Sequence, residues 1–395
     1  MPGKHAKLSA SGAKKWLNCP LSVAMESKFP NESSEYAEEG TIAHALGELK
    51  IRLAVGEISK RHYDGEVKKI INNTKIEVNR EMYEYTDSYR DFVIERFNEA
   101  KKKTPDAVLM LEQKLDFSEY VPEGFGTGDA VIIADGNMEI IDLKYGRGIL
   151  VSAKDNPQLR LYALGALCGY DYIYDIKSVT MTIYQPRMDN ISSQIITADE
   201  LVEWGGEAVK PKARDAYNSI GECNPGKHCD EGFCRARAIC KAYSDRQSEL
   251  ARYDFIEAKI MTNDDIADVL SKVDALVSWA NLIKSYALEQ AVNNGVHYNG
   301  FKLVEGRSNR IYESEEAAVK ALEENDYTEN EIYDKKIKGI TEMEKSLGKK
   351  LFNEILGPFV IKPAGKPTLV PESDKRPEIN TSAKAAEDFK NIIKN

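Results

Sequence analysis

Apolar positions in the first hundred residues recur at helical spacing. Residues 8–25 predict a short helix opened by Ser9 or Ser11, carrying Trp16 and Leu17 and stopping near Cys19-Pro20. A second helix is expected after Gly40, with Thr41 as its cap. A third, charged and amphipathic, covers residues 70–103 and closes on three lysines and Pro105. From Ala107 the pattern shortens to that of strands, over residues 107–112, 130–134 and 138–143. The last two runs are joined by Asp135-Gly136-Asn137, a hairpin signal. Residues 157–169 return to helical period, and residues 179–184 read as another strand. Helix, three strands, helix, strand is the order of an α/β sheet with helices packed on it.

Further along, residues 263–293 are strongly helical. Residues 297–312 read as a hairpin with turns at Asn299-Gly300 and Glu305-Gly306. Helices are expected over residues 314–324, with Ser314 as cap, and 341–354, followed by an extended Pro/Gly/Lys stretch over 357–377. No internal repeat is visible.

Composition narrows the class. A chain of 395 residues suggests several modules, and 42% hydrophobic with 30% charged residues is globular composition. No run of 18 apolar residues exists and the first residues have no apolar signal core, which argues against membrane insertion and secretion. Six cysteines in such a chain are expected as thiols in a reducing cytoplasm, where metal ligation is the natural use. The net charge of -10 argues against a histone-like, whole-surface DNA binder but leaves room for a basic cleft in an acidic shell.

The candidate chemistry begins in the hairpin. Asp129 closes Gly126-Thr-Gly-Asp129 and opens a strand, while Asp142-Leu-Lys144 closes the next, so a tight hairpin brings both carboxylates to one end of a sheet. Oxygen ligands of this kind suit Mg²⁺ or Mn²⁺. Phosphodiester hydrolysis uses such ions to activate water and neutralise phosphate charge. Strand alternation puts Lys144 on the face of Asp142. Taken alone, Asp-x-Lys at a strand end is commonly just solvated. His44 and Glu48, four apart, share a face of the helix after Gly40, and Gln158 and Tyr162 share one on the helix after the Asp142 strand. Each of these, by itself, also reads as ordinary helix packing.

In chain order the sequence runs Gly40-Thr-x-x-His44, Gly126-x-x-Asp129, Asp142-x-Lys144, Gln158-x-x-x-Tyr162. This resembles the RecB-like branch of the PD-(D/E)XK nuclease superfamily. The resemblance implies an α/β core, a central mixed sheet flanked by helices, and a Mg²⁺- or Mn²⁺-dependent DNA exonuclease. His44, Asp129, Asp142 and the Leu143 carbonyl would then be metal ligands and Lys144 the catalytic lysine, with Gln158 and Tyr162 shaping the DNA-side wall. Glu112 resembles an acidic position near such sites.

Cys223, Cys229, Cys234 and Cys240 lie within CNPGKHCDEGFCRARAIC. The spacing lacks the C-x2-C knuckle of structural zinc, and iron–sulfur clusters accept more varied spacing, so zinc and iron both stay open on composition. The same resemblance, to the AddB nuclease domain and CRISPR adaptation nucleases, implies a structural [4Fe–4S] cluster clasping the two ends of the fold. Cys19 matches the upstream ligand, and Cys229, Cys234 and Cys240 match the downstream trio. Cys229 and Cys234 enclose four residues where the family commonly has two, so Cys223 competes with Cys229 for its place. Cys168, in an apolar helix, is expected in the core.

The implied organisation is a nuclease domain with its cluster over residues 1–245 and a helix plus β-hairpin extension over 246–312. A helical module over 313–356 and an extended linker with a terminal helix over 357–395 complete it. The stretches YGRGILVSAKDNPQLRLYALGAL, GFKLVEGRSNRIY and GKPTLVPESDKRP resemble a phage- or prophage-encoded family of such nucleases long described only as a domain of unknown function. That likeness implies DNA end processing for phage recombination in the host cytoplasm, beside a single-strand annealing or binding protein, with oligomerisation left open. The hairpin, where Lys302, Arg307 and Arg310 alternate with Tyr298, Phe301 and Tyr312, is a candidate DNA contact; it reads equally as a hairpin packing its aromatics on the preceding helix. Two rivals stand beside the exonuclease. One is a catalytically silent DNA-binding scaffold of the same fold, which the intact Asp129, Asp142 and Lys144 oppose. The other is a redox or radical enzyme, for which no C-x3-C-x2-C run or Gly-rich dinucleotide loop exists.

Overall fold

Pro20 lacks an amide donor and restricts Cys19 before it, and the predicted helix over residues 8–25 is accordingly two single turns, α1 (Ala13–Trp16) and α2 (Ser22–Glu26). Next comes α3 (Glu35–Ala54), which starts well before Gly40. The Thr41 hydroxyl donates to the Ala37 carbonyl at 2.9 Å, so Thr41 is an interior residue and not the expected cap. Acidic Glu35 and Glu38 favour the earlier start at the positive end of the helix dipole. The long helix expected over residues 70–103 is also two helices, α4 (Lys60–Asn73) and α5 (Arg80–Lys103). The chain is extended at Thr74, and the Asn79 side chain caps α5 by accepting from the Met82 amide at 2.9 Å.

The computed structural model describes residues 6–29, 35–248, 262–304, 314–324, 328, 332–333 and 337–361. Two units emerge, one of residues 1–259 with 272–303 and one of residues 260–271 with 304–395. In the first unit the strands are β1 (Val108–Asp116), β2 (Phe125–Ala134) and β3 (Asn137–Leu143), a meander whose second turn is Asp135-Gly136, with Gly136 at φ +72°. α6 (Pro157–Tyr174) then crosses to β4 (Ser178–Gln185), which lies parallel to β3, and β5 (Asn190–Thr197) returns antiparallel. The result is a five-stranded mixed sheet in the order β1-β2-β3-β4-β5. Strand alternation sorts the core. Met138 and Ile140 of β3 join Val131 and Ile133 of β2 against Leu159, Ala163 and Leu167 of α6. Ile141 and Leu143 face the other way, with Tyr89, Val93 and Phe97 of α5. The mixed α/β sheet expected from the sequence is present, flanked by helices on both faces.

Short helices follow: α7 (Ala198–Glu203), a π-turn over Trp204–Val209, α8 (Lys210–Asn218), α9 (Lys227–Glu231) and α10 (Lys241–Gln247). The Asn263–Asn294 helix agrees with its sequence pattern. Residues 297–304 hold no strand, contrary to the predicted hairpin; Asn299-Gly300 forms a turn, and Phe301 beyond it is 76% exposed. Arg307, Arg310 and Tyr312 lie outside the described residues. In the second unit Ser314 does cap its helix (Glu315–Glu323), accepting from the Ala317 amide at 3.1 Å. The helix expected over residues 341–354 breaks at Gly348, φ +76°, into Ile340–Leu347 and Lys349–Ile355. Most of the expected linker and the terminal helix lie outside the described residues. Among the described residues no helix is long and apolar enough to cross a membrane.

Candidate active site and thiol cavity

Antiparallel register puts Ala130 opposite Ile141 as the last paired row of β2 and β3 toward one end. One step further, Asp129 and Asp142 face each other across the strands, and alternation points both toward α6. The Leu143 amide donates to Asp129 Oδ2 at 2.7 Å, fixing that carboxylate against the backbone. Asp142, only 2% exposed, pairs with Lys144, whose Nζ lies 2.8 Å from Oδ2. That oxygen is sealed from solvent.

Asn156 accepts from the amides of Gln158 and Leu159, and Pro157 occupies the first turn of α6. That start sets Gln158 beside the end of β3. Gln158 Oε1 accepts from Lys144 Nζ at 3.1 Å, while its Nε2 donates to Asp142 Oδ1 at 3.1 Å and to the Tyr162 hydroxyl at 3.2 Å. Tyr162 is buried in the core and reaches the site through its hydrogen bond with Gln158, so it supports the wall from behind. Gly126 is required by that ring: a Cβ there would lie 2.5 Å from Tyr162 Cε1.

His44 comes from α3, and its Nδ1 is 3.2 Å from Asp129 Oδ1. Glu48 pairs instead with Arg52. Glu112, on β1 between the paired rows Leu111–Ala130 and Gln113–Gly128, adopts φ +49°, a left-handed conformation costly for a glutamate inside a strand. Ligand atoms of His44, Glu112 and Asp129 all lie within 4.8 Å of one another. Burial opposes charge on His44, but Asp129 outweighs it and, with Asp142, raises the imidazole to about 9. Burial and the neighbouring Asp129 push Glu112 up to about 7. Burial likewise raises Asp142, against the pull of Lys144; Lys144 is itself raised, because Asp142 overcomes the cost of its own burial. His44, Glu112 and Asp129 form a donor set that a hard divalent cation would satisfy, with Asp142 outside that group, engaged by Lys144 and Gln158.

Tyr89 escapes a sequence reading. Its hydroxyl is buried without a hydrogen-bond partner, and burial plus Asp129, Asp142 and Glu112 raise its pKa. In the sequence it falls on the helical stripe Met82, Thr86, Tyr89, Val93 and Phe97, where it looks like core.

Cys19, Cys223, Cys229, Cys234 and Cys240 line one cavity, although residue 19 is over two hundred positions from the others. All are free thiols. Cys223 engages both Cys240 and Cys19, so the chain gathers five cysteines there and not only the four expected. Glu26 ties the two ends together, pairing with Lys15 and accepting from the Arg235 amide at 2.9 Å. Cys168 is not in the core: it is exposed on α6, with Sγ 3.7 Å from a Glu119 carboxylate oxygen. Lys302 is exposed in the strandless segment before residue 305.

Comparison with known proteins gives two findings. The family described as "Protein of unknown function (DUF2800)" matches residues 5–377. A solved structure described as "Crystal structure of SSO0001" is similar at 15% identity over 50% of this chain and 85% of that one, with a TM-score of 0.21, too loose a superposition to bear on fold or activity.

Proposed function

We propose that this chain, which belongs to the DUF2800 family of unknown function, is a Mg²⁺- or Mn²⁺-dependent deoxyribonuclease with a PD-(D/E)XK core of the RecB-like branch. The observation that carries the reading is the convergence of Asp129, Asp142, Lys144 and His44 at one end of the β2–β3 hairpin, with Asp142 buried against the Lys144 ammonium. The topology agrees with it: a meander, a crossover helix and a strand parallel to the third.

In this reading His44, Asp129, Asp142 and the Leu143 carbonyl hold the cation, with Glu112 close enough to join them. The bound ion would lower the pKa of an attacking water and offset charge on the scissile phosphate. Lys144 orients that water or meets the charge that develops on phosphate, an electrostatic role worth orders of magnitude in rate. Gln158 holds the Lys144 ammonium and the Asp142 carboxylate at once, so neither drifts before substrate arrives. DNA is the substrate and an exonuclease acting on ends is the activity, with end processing for phage recombination as its setting.

The thiol cavity is proposed to hold a [4Fe–4S] cluster through Cys19, Cys229, Cys234 and Cys240, with zinc as the other metal its donors fit. Its role is structural, joining the N-terminal turns to the segment that follows α8. End-labelled linear duplex and closed circular DNA, incubated with Mg²⁺, Mn²⁺ or EDTA, test the whole proposal. Metal-dependent loss of the linear label alone is expected. No cleavage of either DNA by fully metallated protein would leave the silent scaffold as the reading.

A further inference from the structure

The five thiols share their cavity with an imidazole. His228 precedes Cys229 on α9 and is 9% exposed; its Nε2 is sealed from solvent and has no hydrogen-bond partner. The ring lines the cavity with the cysteines, and its hydrogen bond goes to the Asn224 backbone. Gly226 makes room for it, since a Cβ there would lie 2.8 Å from both Cε1 and Nδ1 of the ring. A neutral imidazole that donates from one nitrogen to a carbonyl offers a bare lone pair at the other. Metal-bound histidines are held in this way, with the far N–H anchored on a carbonyl or carboxylate. That lone pair has no hydrogen-bond partner among the described residues, and its residue lines the same cavity as the five thiols.

We propose that His228 Nε2 is a metal ligand in the thiol cavity, taking the place of one cysteine of the four-thiolate set proposed above, so that the group bound there has a mixed donor set of three cysteine thiolates and one imidazole. Zinc and the iron of an iron–sulfur cluster both accept imidazole beside thiolate. The spacing of the cysteines does not suggest this, because it draws the eye to sulfur alone. The inference concerns the thiol cavity only and is independent of DNA hydrolysis at the acidic site.

The test uses full-length protein purified anaerobically. Elemental analysis identifies the metal, and X-ray absorption at its edge reports the donors. Wild type should show a sulfur shell plus one imidazole nitrogen with its outer-ring scattering, the nitrogen at about 2.0–2.1 Å if the metal is zinc. His228→Ala should lose that nitrogen shell, and His228→Cys should keep the metal in an all-sulfur shell. A wild-type spectrum with sulfur alone overturns the assignment, as does a His228→Ala spectrum identical to wild type. If His228→Ala fails to fold, the wild-type and His228→Cys spectra decide. Nuclease activity is not the readout, so failure here and failure of the proposed reaction are separate results.

Discussion

Asp129 and Asp142 occupy opposed positions one row beyond the Ala130–Ile141 pair, yet their surroundings differ. Asp129 is held by the Leu143 amide and His44, whereas Asp142 is buried and relies on Lys144 and Gln158. Two nearby carboxylates in unlike settings can divide the work, one fixed by the backbone and one poised to exchange its ammonium partner for a cation.

Replacing Asp142 or Lys144 with Ala should therefore abolish metal-dependent DNA cleavage by at least ~100-fold, the scale of losing a transition-state stabiliser. Circular dichroism and metal content of the thiol cavity should stay at wild-type values. Asp129→Ala should behave alike, and His44→Ala should retain part of the Mn²⁺-supported rate. Full activity in Asp142→Ala would move the active site elsewhere.

Gln158 offers a finer measurement. It makes hydrogen bonds to Lys144, Asp142 and Tyr162. One net hydrogen bond is worth about 0.5–1.5 kcal/mol. Gln158→Ala should then lower kcat roughly tenfold with KM for DNA little changed, and Tyr162→Phe, one bond further out, should lower it less. A larger loss in Tyr162→Phe than in Gln158→Ala would place the phenol, not the amide, next to the reaction.

Most of this site was legible because a hairpin converts sequence distance into contact. Asp129 and Asp142 meet through a turn written as Asp-Gly-Asn, and Gln158 is set by the cap Asn156-Pro157. Gly40 was misleading as a helix start, since α3 is already helical five residues earlier and a Cβ on Gly40 would touch nothing within 4 Å. The strand β5 was missed because its pattern is inverted. Ile191 and Ile195 are exposed at 59% and 69%, while Ser192 and Gln194 turn inward to accept from the Ala153 and Asp155 amides. Tyr89 and His228 were hidden for another reason: a buried ring with an unpartnered polar atom has no one-dimensional signature.

Gly126 ties the motif to packing. With only 2.5 Å between an added Cβ and the Tyr162 ring, Gly126→Ala should force β2 and α6 apart and cost about 1–3 kcal/mol, as overpacked cores do. Urea unfolding should show a lower midpoint with an unchanged slope. Tyr162→Leu in the same chain should recover part of the loss. Equal midpoints for wild type and Gly126→Ala would mean that the sheet yields without strain.

Binding of the proposed cation can be measured without DNA. A ligand that binds only the native state at a hundredfold excess over Kd stabilises it by ~2.7 kcal/mol. Mn²⁺ should raise the thermal midpoint of wild type, and EDTA should reverse the rise. Asp129→Ala and Asp142→Ala should each lose most of the shift. A shift of equal size in Asp142→Ala would assign the ion to other ligands.

The thiol cavity predicts an effect out of proportion to one atom. Cys19 sits beside Pro20 between two single-turn helices, which have little local stability of their own. Its partners in the cavity, Cys223, Cys229, Cys234 and Cys240, belong to a segment that also consists of single turns and loops. A metal group bridging them closes a loop of more than two hundred residues, and long loops are where a cross-link restricts the unfolded chain most. By analogy with a covalent cross-link, Cys19→Ser should cost about 2–5 kcal/mol and strip the cavity of metal, with the brown colour lost if the metal is iron. Cys168→Ser, altering an exposed thiol on α6, should change neither. Comparing Cys223→Ser with Cys234→Ser then sorts the remaining thiols. Cys223 contacts Cys19 and Cys240, whereas Cys234 neighbours Cys229, Glu26 and Lys15. If Cys223→Ser loses metal while Cys234→Ser keeps it, Cys223 belongs in the ligand set and Cys234 does not. If Cys19→Ser retains both its metal and its unfolding midpoint, the cavity does not join the N-terminal turns to the segment that follows α8.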